Sequence, residues 1–373
     1  CLVWNSHLPA DASHPVRYVE LMADGKPHLL QRVVNNPGGR TEIAYTPSTR
    51  FYLNDLAAGT PWVTRLPFPV HCVSKVTVHD AWRGTAFSST YSYHHGYFDG
   101  PEREFRGFGR VEQIDLDAYG ADANVASPWV TDDRRLFQPP VKTITWFHVG
   151  AAIDRQRIIG QFADEYFPQR YTGRLPTGAG AFREMPLPEP ELPSDLSAQE
   201  WQEALRSCKG MVLRQEIYEL DLDELVGPGH RQREVRLYSV ATHNCQIKRL
   251  QPKGPNKHAV FLVTESEAIT YHHELPIPSG NALLRPDPRI AHTLNLRHDD
   301  YGDVEQAVAI GYPRWTAGSY TGLPEPGRIA AVQDELHASY VETRYTADAL
   351  RPARGQDALS PLRHHRLRLP CET

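Results

Sequence analysis

The stretch Tyr93–Gly109, YHHGYFDGPEREFRGFG, concentrates side chains that can carry chemistry. His94 and His95 precede Asp99. Glu102, Arg103, Glu104 and Arg106 follow, and Gly107 and Gly109 close the run. Imidazoles and carboxylates this close together could hold a metal ion that activates water, making the chain a metal-assisted hydrolase centred on His94, His95 and Asp99. The spacing argues against this. Adjacent residues of a regular strand point to opposite faces, which sends one histidine to the interior or a neighbouring strand and the other to water. His94 and Asp99 meet only if Gly96 bends the chain, and no HExxH or HxH spacing is present. Glu102 and Glu104 could share a face as an acid/base pair, but Arg103, Arg106 and Arg110 crowd them and would keep both ionised. The motif is therefore expected to be a hairpin or bend in which Arg103, Arg106 or Arg110 pairs with Glu102, Glu104 or Asp99. Gly107 and Gly109 would permit close strand approach or a positive φ. On this reading the chain has no catalytic residue, no cofactor and no metal site.

Other chemistries find less support. There is no GxSxG elbow, no GxGxxG and no GxxxxGK[ST], and the GFG run enters a strand with no helix N-terminus to cradle phosphate. The formal net charge of -5 gives no general attraction to nucleic acid. The five cysteines are scattered without a CxxC pair, so a zinc ribbon is excluded and a disulfide framework is not expected. Cys72 and Cys208 sit in apolar surroundings that suit buried free thiols. A carbohydrate- or receptor-binding module would need several exposed aromatics on one sheet. Trp62, Trp82 and Trp146 read as core or sheet-surface packing in separate strands.

These side chains must be positioned by strands. Alternating or β-branched and aromatic runs recur along the chain: HLLQRVVNN, TEIAYTPS, SKVTVHDAW, AFSSTYSYHH, GRVEQIDLDAY, VKTITWFHV, REVRLYSVAT, HAVFLVTES, AITYHHEL, AHTLNLRHD, VEQAVAIGY and HASYVETRY. Pro and Gly clusters separate them. The basic run LRHHRLRLP, with His364 and His365, also alternates like a strand. With 40% hydrophobic residues the chain can build a real core. The fold class is mainly β, with long antiparallel strands and one short helical insertion.

In that insertion, residues 173–194 read as an exposed Pro/Gly-rich connection. A helix follows, with Ser197 as N-cap, Glu200 completing a capping box and Gly210 as stop. Trp201, Leu205 and Cys208 share one helical face. DRQRIIGQFADEYF fits either a second helix or a strand with a polar edge. Tyr301-Gly302-Asp303 has hairpin chemistry. YHH at 93–95 recurs at 271–273, and GRVEQ returns as GDVEQ, echoes expected of stacked strand–turn–strand units. The domain reading is 1–12 as the end of a preceding unit, 13–172 as a first strand-rich segment, 173–212 as the insertion and 213–373 as a second strand-rich segment. The first residues lack an initiating Met and a signal-peptide pattern, as an internal piece of a longer protein would.

NNPGGRTEIAYTPSTRFYLNDLAAGTPWVTRLPFPVHCVSKVTVHDAW followed by YSYHHGYFDGPEREFRGFGRVEQ closely resembles the B component of tripartite insecticidal Tc toxin complexes. KTITWFHVGAAIDRQRIIGQFADEYF, LSAQEWQEALRSCKGMVLRQEIYELD, QPKGPNKHAVFLVTESEAITYHHE, DPRIAHTLNLRHDDYGDVEQAVAIGY and the ending LPCET extend the resemblance over nearly the whole chain. It implies an RHS-type (YD-repeat) shell of spiralling β-sheet, secreted as part of a toxin. In that family the B component and a C component close a hollow shell around the toxic C-terminal segment of C, kept unfolded. A β-propeller preceding this region docks the shell on the pore-forming A component. CLVWNS looks like the closing strand of that propeller. The implied partners are the C and A components, with no nucleic acid and no direct membrane insertion. The autoproteolytic aspartates of the family lie in C, and nothing here matches them. A piece of such a shell should expose sheet edges and self-associate through them. Light scattering should show apparent mass rising with concentration, and a constant monomer mass would count against it.

Overall fold

Alternating side chains and short turns build one continuous meander. The computed structural model describes residues 2–19, 26–117, 139–178, 181–188, 190–221, 232–315, 323–345 and 370–372. A separate exposed hairpin comes first, β1 (Leu2–Asn5) with β2 (Val16–Val19). Then follow β3 (Arg32–Val34), β4 (Gly39–Pro47), helix α1 (Ser48–Ala57), β5 (His71–Asp80), β6 (Thr85–Asp99), β7 (Glu104–Asp117) and β8 (Val141–Phe147). Helices α2 (Arg155–Asp164), α3 (Phe167–Arg170) and α4 (Ala198–Ser207) precede β9 (Val212–Leu220), β10 (Glu234–Gln251), β11 (Val260–Pro276), β12 (Arg289–His298) and β13 (Val304–Gly311). The last elements are α5 (Pro326–Gln333), β14 (His337–Glu342) and the pair β15 (Arg344–Tyr345) and β16 (Pro370–Glu372).

Strands β3 to β14 form a single 12-stranded antiparallel sheet in which spatial order follows chain order. Strands β8 and β9 pair directly, from Val141↔Glu219 to Phe147↔Val212. The segment between them leaves the sheet and returns to the adjacent position. Among the described residues, β3 and β14 are the two edges, and every residue of both strands is exposed.

Period-two alternation gives the sheet two unlike faces. One carries Ile144, Trp146, Tyr218, Leu237, Val240, Ile269 and Tyr271, all nearly or fully buried beneath Ile158 and Phe162 of α2 and Phe167 of α3. Each large side chain removed from water contributes about 2–3 kcal/mol. The intervening positions, such as Gln113, Thr143, Gln215 and Ile217, are half-buried and mixed in polarity. No helix among the described residues is long and apolar enough to cross a membrane.

The mainly β reading holds, but its helical content was drawn too narrowly. DRQRIIGQFADEYF is helical over α2, and α1 and α5 also form. HAVFLVTES and AITYHHEL fuse into the single strand β11, and β9 adds a strand. The capping box of α4 is formed: Ser197 Oγ accepts from Glu200 N at 3.3 Å, and Glu200 Oε2 accepts from Ser197 N at 3.0 Å. Leu205 and Cys208 are buried, whereas Trp201 is 39% exposed, because Ala204 and Cys208 define the packed face. Helix α4 ends at Ser207, and Gly210 takes the positive φ of 85° three residues on.

The described residues of 173–194 are exposed in part and half-buried in part. Leu175, Phe182 and Leu187 pack on the core, and Met185 N donates to Tyr271 Oη at 2.7 Å. Trp146 is in the core, but Trp62 and Trp82 lie outside strands. Trp82 is 83% exposed in a turn, its indole donating to Pro37 O at 2.6 Å. In the Tyr301-Gly302-Asp303 turn Gly302 has φ 94°, and Asp299 Oδ1 accepts from Tyr301 N and Asp303 N. The basic run at 362–369, including His364 and His365, lies outside the described residues.

Candidate functional site

Asp99 and Arg103 make the turn of the β6–β7 hairpin. Asp99 Oδ1 accepts from Glu102 N at 3.1 Å, and Arg103, at φ 52°, donates its N–H to Gly100 O. Arg106 is 5% exposed. It pairs with Asp99 at 2.9 Å and Glu104 at 3.3 Å, and donates to Gly150 O. Glu104 also meets Arg206 at 3.0 Å and Lys209 at 3.1 Å, which ties the hairpin to the end of α4. Burial pushes its carboxyl up, but Lys209 and Arg206 outweigh that and hold it below the usual range. Glu102 lies near Arg206 at 3.8 Å, and Arg103 is exposed at the tip. The expected pairing is thus met by Arg106, while Arg110 turns to other carboxylates.

The histidines depart from expectation. His95 has φ 56° beside a register shift between Gly96 and Phe98, so strict alternation fails. Neither ring faces water: His94 is 8% and His95 2% exposed. His94 Nδ1 lies 2.6 Å from Asp55 of α1, and His95 Nε2 lies 2.8 Å from Glu165, just past α2. The rings meet again through Arg110, which binds Glu165 at 2.7 Å and Glu112 at 3.2 Å, with His94 Nε2 3.8 Å from Glu112. The second YHH differs: Tyr271 and His273 are buried while His272 is exposed, as strict alternation gives, and the positive φ of 48° falls on Glu274, close to a β10–β11 register shift.

From Glu112 the charges continue across the sheet. Lys142 on β8 bridges Glu112 at 2.9 Å and Glu234 at 3.3 Å. Glu234 holds Arg170 at 2.6 Å, and Arg170 lies 4.0 Å from Glu216. Glu216, fully buried, accepts from Arg214 at 2.7 Å, from Phe167 N at 2.8 Å and from Tyr218 Oη at 2.7 Å. Arg214 reaches Glu184 in the connection at 2.6 Å. Acids and bases alternate from β6 to β10, and their outer partners are α1, α2, α3 and the 173–194 segment. Burial raises the Glu112 carboxyl, but Lys142, Arg110 and His94 hold it at about 2. Burial likewise raises Glu165, but the His95 hydrogen bond and Arg110 charge hold it at about 2. Carboxylates this acidic and this fully bonded are poor proton-transfer groups near neutrality. The arrangement fastens a cover to a sheet. His94, His95 and Asp99 each turn to a different partner.

Sequence reasoning named the motif but missed Asp55, Glu112, Lys142, Glu165, Arg214 and Glu216. The available signal was charge at inward positions of strands: Arg110 and Glu112, then Arg214 and Glu216, alternate on one face. Gly109 faces Phe162, and a Cβ there would lie 2.4 Å from its Cζ and 3.2 Å from His95 Cβ. Phe162 is fully buried and has nowhere to go. Gly109→Ala should cost about 1–3 kcal/mol in urea unfolding, with Gly100→Ala, in open space, as control. Equal stability of the two variants would contradict this packing.

A family model described as the insecticide toxin TcdB middle/N-terminal region matches residues 12–133, and one described as the insecticide toxin TcdB middle/C-terminal region matches residues 203–350. No curated protein sequence matches the chain. Among solved structures, a crystal structure of TcdB2-TccC3 is similar with a TM-score of 0.60 and 24% identity, covering 85% of this chain and 14% of that one. The structure of a Photorhabdus luminescens Tc holotoxin pore is similar with a TM-score of 0.59 and 24% identity, over 87% of this chain and 14% of that chain. The likeness shows a shared fold, and the chain spans about one-seventh of each of these longer proteins.

Proposed function

The chain belongs to the insecticide toxin TcdB family, the B components of Tc insecticidal toxin complexes, and from that premise we propose that it is a non-enzymatic wall segment of a hollow RHS-type shell. The shell, closed with a C component, encloses a cytotoxic effector and releases it through a pore-forming A component outside the producing cell. The strand-rich segments before and after residues 173–212 supply the wall, and the insertion, with α1, α2 and α3, is its fastened cover. The observation that carries this reading is the sheet itself: 12 antiparallel strands with an unpaired edge at β3 and at β14 among the described residues. Such edges call for neighbouring strands. The partnership is supported by the similar structures, which hold TcdB2 with TccC3 and a Tc holotoxin pore.

The test uses the full-length B protein with its C component. Proline at Ser339 or Tyr340 of β14 removes a ladder N–H, and in one of the two it removes only an outward bond. In that variant the effector segment of C should become protease-sensitive while the B protein stays folded. Full protection in both variants would overturn the wall assignment. A stoichiometric, tightly held zinc or manganese ion lost on changing His94 would instead favour hydrolase chemistry.

A further inference from the structure

Helix α4 is followed at once by its C-cap Cys208, whose Sγ lies 3.8 Å from the Sγ of Cys245 on β10. The two residues are 1% and 2% exposed, in a small cluster with Ala204 and Ile247. Cys245 reaches that cluster because the β10–β11 register shifts between Asn244 and Cys245. Two successive residues of one strand are buried there, which alternation alone would not give. The thiols stand between the insertion and the sheet.

We propose that Cys208 and Cys245 are a dithiol that closes to a disulfide, fastening α4 to β10. The sulfurs must approach from 3.8 Å to about 2 Å. With the Cys208 thiol as donor in the contact between the two sulfurs, Cys245 is the one favoured as thiolate. That thiolate attacks one sulfur of a small external disulfide, such as oxidised glutathione, and expels one glutathione thiolate. Cys208 then gives its proton to solvent and attacks the Cys245 sulfur, expelling the second glutathione. Two protein thiols are oxidised, and one external disulfide is reduced to two thiols. Burial places the exchange in moments when α4 is undocked, or before it docks during folding.

The reduced full chain is treated with oxidised glutathione at neutral pH in two ways, folded and during refolding from denaturant. Intact mass and a non-reducing peptide map are then read. Expected are the loss of two hydrogens, one peptide joining Cys208 to Cys245, and a melting temperature raised by about 5 °C and restored by reductant. Cys208→Ser and Cys245→Ser should each abolish all three changes, and Cys72→Ser should abolish none. Free thiols in both treatments, persistent glutathione adducts, or pairing with a different cysteine would overturn the assignment. A correct link with an unchanged melting temperature would overturn the fastening role.

Discussion

Glu165→Ala should destabilise the chain by about 3–5 kcal/mol in urea unfolding, the cost of leaving buried charge without its partner. Glu165 binds His95 at 2.8 Å and Arg110 at 2.7 Å, and accepts from the Trp146 indole at 3.3 Å. Arg110 keeps only the more distant Glu112 when this carboxylate is removed. Replacing the arginine as well, as Glu165→Ala/Arg110→Met, removes both charges and should recover part of the loss, because the penalty belongs to the orphaned partner. A single variant within about 1 kcal/mol of wild type would show that the charged ladder does not hold the cover down.

Acid should weaken the fold in two windows. Burial pushes His148 down to about 4, with Arg155 adding to it, and burial pushes His273 down to about 3, with Arg214 adding. Neither ring nitrogen of His273 has a hydrogen-bond partner among the described residues, and its ring sits among Phe167, Phe182 and Tyr271. Both imidazoles are neutral when folded. Below about pH 6.5 the unfolded chain takes up protons that the folded chain refuses, so stability is full above that pH and falls as pH drops towards the folded values. Glu112 and Glu165 act in the lower window: their depressed values stabilise above about pH 4.5, and that stability is lost as pH falls towards 2. For His273 the loss between pH 7 and pH 4 is about 3 kcal/mol. His273→Phe should remove that share, giving a shallower decline in urea midpoint and a variant more stable than wild type at pH 4. Parallel pH profiles would mean that the ring is solvated when folded.

The strands were legible because they obey local rules. Period-two alternation, Pro/Gly punctuation and the Ser197–Glu200 box each act over a few residues. What escaped depends on distance or on a broken rule. Helix α1 starts after Pro47 with no side-chain cap, so no start signal marks it. The left-handed backbone at His95 turned two histidines expected on opposite faces towards carboxylates sharing one arginine. Asp55, Glu165 and Glu184 come from segments far from the strands they serve, and no spacing announces them. Cys208 and Cys245 look scattered in sequence because β9 and the start of β10 lie between them. The family resemblance was legible in the motif itself, and the hairpin explains why: Gly109, Arg106 and His95 each fill a place where another side chain would clash or leave a charge unpaired.

The most direct measurement is amide hydrogen exchange at β3 and β14, first in the isolated chain and then in the full-length B protein assembled with C. A wall segment should exchange rapidly at both edges when isolated and become protected at both in the assembly, while β8 and β9 stay protected throughout. Edges that exchange equally fast in the two states would contradict the account.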